Sequence, residues 1–350
     1  MKFKNRISLF FIILTCAGIS NGSPVSRTPS NSIELQQWVN QHFTKGKIPP
    51  FSFILGDKKS EDLIQNWKFS AEKLKSKEPN AEESVYTYSD IKSGLVVKCF
   101  VTCYNDFPAV EWVLKISNIS EKNSPVLEKV QVVDQEFESK NKGAFMLHQM
   151  RGSKGGKDDF MPSENTLKLG ETVKITPKGG RSSDNTAFPF FNIKNPVSDG
   201  FVVAIGWSGK WVSNLCQINE NTLSLKAGME RMKLILYPKE EIRTPGICLL
   251  FWKGKESMTG HNQFRKFLLT HKIRRNSIPS PLAVSLSPNT PCPPCNGFFG
   301  CLSDSFALAK IAWLKSRNLQ PEVCWMDAGW YQDGGDNWQI VGNWNADKKR

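Results

Sequence analysis

Long apolar runs are missing from most of the 350 residues: after Gly22 no stretch is apolar for long enough to cross a bilayer as a helix, which excludes a helical membrane protein. Clustered charge is missing as well. The formal charge is +13, yet Lys and Arg are spread through segments such as Lys73 to Lys77 and Lys253 to Lys272, with Glu or Asp among or beside them. No zinc-finger, homeodomain or RNP pattern appears, so a solvated basic surface is expected and no nucleic-acid partner. No internal repeat is evident, which excludes a solenoid. Tyrosine is scarce, five against 22 Phe and 11 Trp, an inventory that suits a deep sandwich core or a sugar-binding face. With 39% hydrophobic and 23% charged residues, the chain is neither fibrous nor disordered and is long enough for one large or two ordinary domains.

The amino terminus reads Met1-Lys2-Phe3-Lys4-Asn5-Arg6 before an apolar run from Ile7 to Ile19. Positive charge followed by a run too short to span is the pattern of a signal peptide, with small residues at Ser20 and Gly22 for cleavage after Gly22. A secreted or periplasmic location is expected. Lipidation at Cys16 is the weaker reading, because Thr15 is a poor residue before a lipidated cysteine.

Nine cysteines are too few for a disulfide scaffold. Cys292-Pro-Pro-Cys295, with Cys301 close behind, invites a zinc site, but a fourth ligand is lacking and the nearest histidines, His261 and His271, lie well upstream. A local disulfide or free thiols are expected there, and no metal.

An amphipathic helical pattern covers Ser30 to Phe43, and from about Phe51 the period turns to that of strands. Strands are expected at 85–89, 94–104, 110–118, 128–137, 144–150, 166–175, 188–193, 200–207, 222–226, 232–237 and 247–252. Strands separated by Gly, Pro and Asn turns, with helical pattern only before and after, argue for a large antiparallel β-sandwich over 30–275. A helix then carries Met258, Phe264, Phe267 and Leu268 and ends near His271. Residues 276–281 are a linker by composition. Beyond it come a strand at Leu282 to Leu286, N-cap candidates Ser303 and Asp304, a helix at Phe306 to Arg317, and a second strand at Glu322 to Met326. Strand, helix, strand in this order is a βαβ unit, the beginning of a parallel sheet or barrel over 282–350.

The second strand leads into Val323-Cys-Trp-Met-Asp-Ala-Gly-Trp-Tyr331, with Gly342-Asn-Trp344 shortly after. An Asp at the carboxyl end of a parallel strand sits where α/β barrels place their chemistry. The Asp327 carboxylate can accept hydrogen bonds from two adjacent sugar hydroxyls, while Trp330 and Trp344 can stack on the C–H face of a sugar ring. The same residues can equally cap a loop and fill a core; residue chemistry leaves both open. Trp325, one step deeper with the parity of Asp327, is expected to fill a barrel interior.

These motifs resemble glycoside hydrolase family thirty-six, the melibiase or α-galactosidase family. Its pattern of Asp-Asp-Gly-Trp after a strand and then Gly-Asp-Trp stands here as Asp327-Ala-Gly-Trp330 and Gly342-Asn-Trp344. Similar in order and spacing are Phe107-Pro-Ala-Val-Glu-Trp-Val-Leu114, Gly-Gly-Arg-Ser-Ser from Gly179, Ala204-Ile-Gly-Trp-Ser-Gly209 and Glu240-Glu-Ile-Arg-Thr-Pro245. The resemblance implies a multidomain chain: a large antiparallel β-supersandwich followed by the first part of a (β/α)8 TIM barrel. It implies a retaining glycosidase acting on a terminal α-linked galactose or related sugar, with Asp327, Trp330 and Trp344 as substrate-binding residues. The family's second motif Asp is Ala328 here, so one hydroxyl contact to galactose is absent and the sugar stays open. The family's nucleophile stands in a Lys-Trp-Asp context, which does not occur in this sequence. A barrel needs on the order of 250 residues, so the nucleophile and the acid/base carboxylate are expected past Arg350 and the chain alone is expected to be inactive. Two carboxylates suffice for that chemistry, so no cofactor and no metal are expected. The expected partner is an oligosaccharide or glycoside; a homo-oligomer is left open. The competing reading is a non-catalytic carbohydrate-binding or scaffold sandwich.

Overall fold

Asn31 opens the first helix: its side chain accepts a hydrogen bond from the Glu34 backbone N–H at 2.8 Å, satisfying one of the donors a helix start leaves over. The computed structural model describes residues 23–29, 31–273, 281–287, 302–332 and 344–348. The expected leader through Gly22, Cys292, Cys295, Cys301 and most of the linker lie outside these. Two compact units are present, the first ending at His271 and the second beginning at Lys272.

In the first unit, helix α1 (Ser32–His42) buries Leu35, Trp38, Val39 and His42. A short helix α2 (Ser60–Ile64) follows, and two sheets carry most of the rest, antiparallel except where Val25–Arg27 pairs in parallel with Leu127–Glu138. The nine-stranded sheet runs, edge to edge, through Pro162–Thr166, Met146–Met150, Phe190–Lys194, Gly200–Gly206, Glu241–Trp252, Ala109–Asn118, Leu95–Tyr104, Ala81–Ser89 and Lys68–Leu74. The eight-stranded sheet is built around the long strand Leu127–Glu138, flanked by Thr222–Met229 and Ser52–Leu55. Alternation explains the layering. Along Ala109–Asn118 the side chains of Val110, Trp112, Leu114 and Ile116 are buried while Glu111, Val113, Lys115 and Ser117 are only partly covered. The Trp112 indole N–H donates to the Val132 carbonyl at 2.6 Å, linking the strand to one of the other sheet. Helix α3 (Ser257–Phe267) runs on into a π-helical turn, Leu268–Lys272.

Four expectations need correction. The strand expected at 166–175 is two, Pro162–Thr166 and Thr172–Ile175, and they belong to different sheets. The strand expected at 232–237 shrinks to Lys233–Leu234. A strand that the alternation did not reveal, Trp211–Gln217, lies inside the smaller sheet, where Ser213 and Asn214 interrupt the apolar pattern. The last strand also begins earlier than expected, at Glu241, because the sheet absorbs Pro245 with a register shift between Arg243 and Gly246. There the fully buried Thr244 hydroxyl accepts from the Leu114 N–H at 3.1 Å, repairing the ladder next to the proline.

His42 at the end of α1 makes the fold pH-sensitive. Burial pushes its imidazole down from 6.5 to about 4, against a backbone hydrogen bond at Ile48 that raises it. The folded state therefore holds a neutral imidazole that the unfolded chain protonates below about 6.5. Its contribution is fully present above that value and is lost as the pH falls towards 4, by on the order of 3 kcal/mol. Denaturant unfolding between pH 7 and 4 should show this loss, and His42→Gln should flatten the dependence; an equally steep profile in the variant would exclude His42 as its source.

In the second unit, Ala283–Ser285 pairs in parallel with Val323–Trp325, and helix α4 (Asp304–Ser316) connects them. Ser303 is its N-cap, accepting from the Phe306 N–H at 3.2 Å.

Candidate functional site

Asp327 follows the strand Val323–Trp325 after one intervening residue, Met326. Its backbone N–H donates to the Ser287 hydroxyl at 2.9 Å, and Ser287 itself is buried just past the partner strand. The loop start is thereby tied to both strands. Lys310 of α4 reaches the Ser287 carbonyl at 3.3 Å and adds a third tether. Oδ1 of Asp327 accepts the N–H of Ala328 at 2.8 Å, a local cap. Among the described residues Oδ2 forms no hydrogen bond, and the side chain is exposed, so that oxygen is open to a hydroxyl donor.

Gly329 carries φ of 102° and turns the chain back. The return is held by an antiparallel bridge between Tyr331 and Ala346, by the Gln332 N–H on the Asn345 carbonyl at 2.7 Å and by the Asp347 N–H on the Trp330 carbonyl at 3.0 Å. Trp344 thus comes beside Trp330, their rings stacked with centroids 6.0 Å apart and planes 24° apart. Tyr331, 2% exposed, stands edge-on to both at 5.6 Å. Trp344 is 62% exposed and keeps one broad face uncovered. The indoles therefore form a stacked pair with one outward face. Gly342 and Asn343 lie outside the described residues.

Trp325 lies on the strand Val323–Trp325. It is 45% exposed, as are Val323 at 40% and Met326 at 45%, so nothing among the described residues closes a barrel interior over that strand.

No family model matches the chain, and no curated protein sequence does. Solved structures match along nearly all of it. The GH36 α-galactosidase AgaB from Geobacillus stearothermophilus aligns with 87% of this chain at 15% identity and TM-score 0.62. The α-galactosidase from Lactobacillus brevis aligns with 93% at 15% identity and TM-score 0.64. The fold is that of a GH36-like N-terminal domain. The galactosidase domain of the α-galactosidase-sucrose kinase AgaSK gives 14% identity, 87% coverage and TM-score 0.63. The chain spans 42% to 45% of the length of these structures. At such identities the GH36-like character is a statement of fold, and the sugar chemistry has to be argued from Asp327 and its neighbours.

Sequence reasoning singled out the strand-end loop but missed a second concave region. A cavity of about 650 Å³ in the first unit is bordered by His148, Glu164 and Ser257, which come from two strands and a helix start. No local motif joins them, since Ser257 and His148 meet across 109 positions.

Proposed function

We propose that residues 1–350 belong to an exported, retaining α-galactosidase-like glycoside hydrolase for terminal α-linked galactose or a related sugar, with Asp327, Trp330 and Trp344 in the −1 subsite. The observation that carries this reading is a strand-end carboxylate with a free oxygen beside an outward indole face, on a chain with a GH36-like fold. In this reading the βαβ unit is the start of a (β/α)8 barrel. Parallel strands are normally covered on both faces, and the exposure of Val323, Trp325, Leu308 and Trp313 asks for such cover. The two reacting carboxylates belong to residues outside this chain, where one attacks the anomeric carbon and the other protonates the leaving oxygen and then activates water. Ala328 stands where the family's second Asp would contact galactose, so the pocket has room for a substituent at that hydroxyl. Export is supported by the leader pattern.

The complete protein should hydrolyse an aryl α-galactoside or α-N-acetylgalactosaminide with retention of anomeric configuration, followed by NMR. Residues 1–350 alone should release no phenol from either aryl glycoside. Inversion, or turnover by the 350-residue chain itself, would overturn the assignment.

A further inference from the structure

His148 sits in the strand Met146–Met150, directly opposite Glu164 of the edge strand Pro162–Thr166 and opposite Asn192 of Phe190–Lys194 on its other side. Its ring is buried. Nδ1 lies 3.0 Å from the Glu164 carboxylate, and Nε2 lies 2.7 Å from the hydroxyl of Ser257, the first residue of α3. A carboxylate only accepts hydrogen bonds, so Nδ1 carries the ring proton and the Nε2 lone pair receives the Ser257 O–H. A hydroxyl, a base in reach of it and a third group that orients the base are what an activated serine nucleophile requires.

The serine is held in place independently of the histidine. Its carbonyl accepts from Asn192 Nδ2 at 3.0 Å, and Asn192 Oδ1 accepts from the Trp252 indole at 2.8 Å. Asn192 is fully buried and Trp252 nearly so, which fixes the start of α3 against the sheet. Ser257 opens onto the 650 Å³ cavity, whose wall includes Met150, Phe190, Phe191, Met258, Phe264 and Leu268. Such a wall suits an apolar acyl group. His261 borders the same cavity one helical turn after Ser257, its ring 6.2 Å from that of His148. Burial and the neighbouring His148 lower its pKa.

We propose that Ser257, His148 and Glu164 form a carboxylic-ester hydrolase site for esters of apolar acyl groups, separate from any glycosidase chemistry and resting on none of it. Ser257 Oγ bonds to the ester carbonyl carbon while Nε2 of His148 takes the hydroxyl proton. The carbonyl π pair moves to its oxygen, at the positive end of α3. Its return breaks the bond to the alcohol, which leaves with the proton from Nε2. Water then repeats the sequence on the acyl-serine, with Nε2 taking its proton, and releases the carboxylic acid and the free serine. Glu164 is a positioning residue, holding the tautomer.

The test uses the 350-residue chain with 4-nitrophenyl butyrate as substrate and a fluorophosphonate as covalent probe, the adduct located by peptide mass mapping. The expected result is ester turnover with the adduct on Ser257. Ser257→Ala should lower turnover by about 100-fold or more at an unchanged melting temperature. Glu164→Gln, on the exposed member of the trio, should slow labelling and shift the pH profile of turnover. Absence of ester turnover in the native chain, an adduct elsewhere with Ser257 unmodified, or undiminished turnover in Ser257→Ala would each overturn the proposal. Failure of the galactoside experiment leaves this result untouched, and the converse holds.

Discussion

Trp112→Ala is expected to destabilise the sandwich by about 3–5 kcal/mol, a fall in Tm of roughly 6–20 °C. The indole is 2% exposed, and it packs 6.2 Å from Trp38 of α1. Removing it opens a cavity between helix and sheet that a close-packed β core cannot collapse to fill. The N–H adds a second effect. Ala227 pairs with Val133 and Gly228 with Gln131, so Val132 is the extra residue of a bulge and has no register partner there. Its carbonyl receives the Trp112 N–H instead. Trp112→Phe retains most of the volume and isolates that contact, with a loss of about 1–3 kcal/mol. Thermal and urea unfolding of both variants measures the two parts. A loss below about 1 kcal/mol for the alanine variant would mean that the two sheets are not joined at this point.

The second large effect lies at the same bulge. A β-carbon added to Gly228 would come 2.2 Å from the Val130 carbonyl oxygen and 3.2 Å from the Gln131 α-carbon. Both are backbone atoms of the central strand Leu127–Glu138, so no rotamer change relieves the clash. Gly228→Ala should therefore cost about 3 kcal/mol or more, by forcing the strands apart. Gly206→Ala is the control, because its nearest atom would be 3.7 Å away, at the Gly246 carbonyl. Equal unfolding midpoints for the two variants would contradict the close approach of the strands.

Where local chemistry set the structure, the sequence was readable. The π-extended helix after the sandwich ends at Lys272, beside the expected stop near His271, because Phe264 and Phe267 repeat at helical spacing over a sheet face. Ser303 caps α4 as its side chain and position suggest, and the two short parallel strands fall inside the ranges expected for them. What was hidden depends on partners distant in sequence. Trp211–Gln217 becomes a strand because Thr172–Ile175 and Thr222–Met229 supply hydrogen bonds on both sides, which outweighs a broken alternation. The last strand, expected from Ile247, begins at Glu241 because Thr244 provides a substitute partner for the Leu114 N–H beside Pro245. Asp327 was visible as a strand-end carboxylate. The stacking of Trp330 on Trp344 was not, because it depends on a bridge between Tyr331 and Ala346 that no periodicity records.

Asp327→Asn in the complete protein bears most directly on the sugar-site assignment, with kcat/KM on the preferred aryl glycoside and Tm read side by side. The substitution keeps the shape and removes the charge from hydrogen bonds worth about 1.5–3 kcal/mol each. If Asp327 holds two sugar hydroxyls, kcat/KM falls by roughly tenfold or more while Tm stays where it was. An unchanged kcat/KM would remove Asp327 from the subsite and leave it a loop cap for the Ala328 N–H.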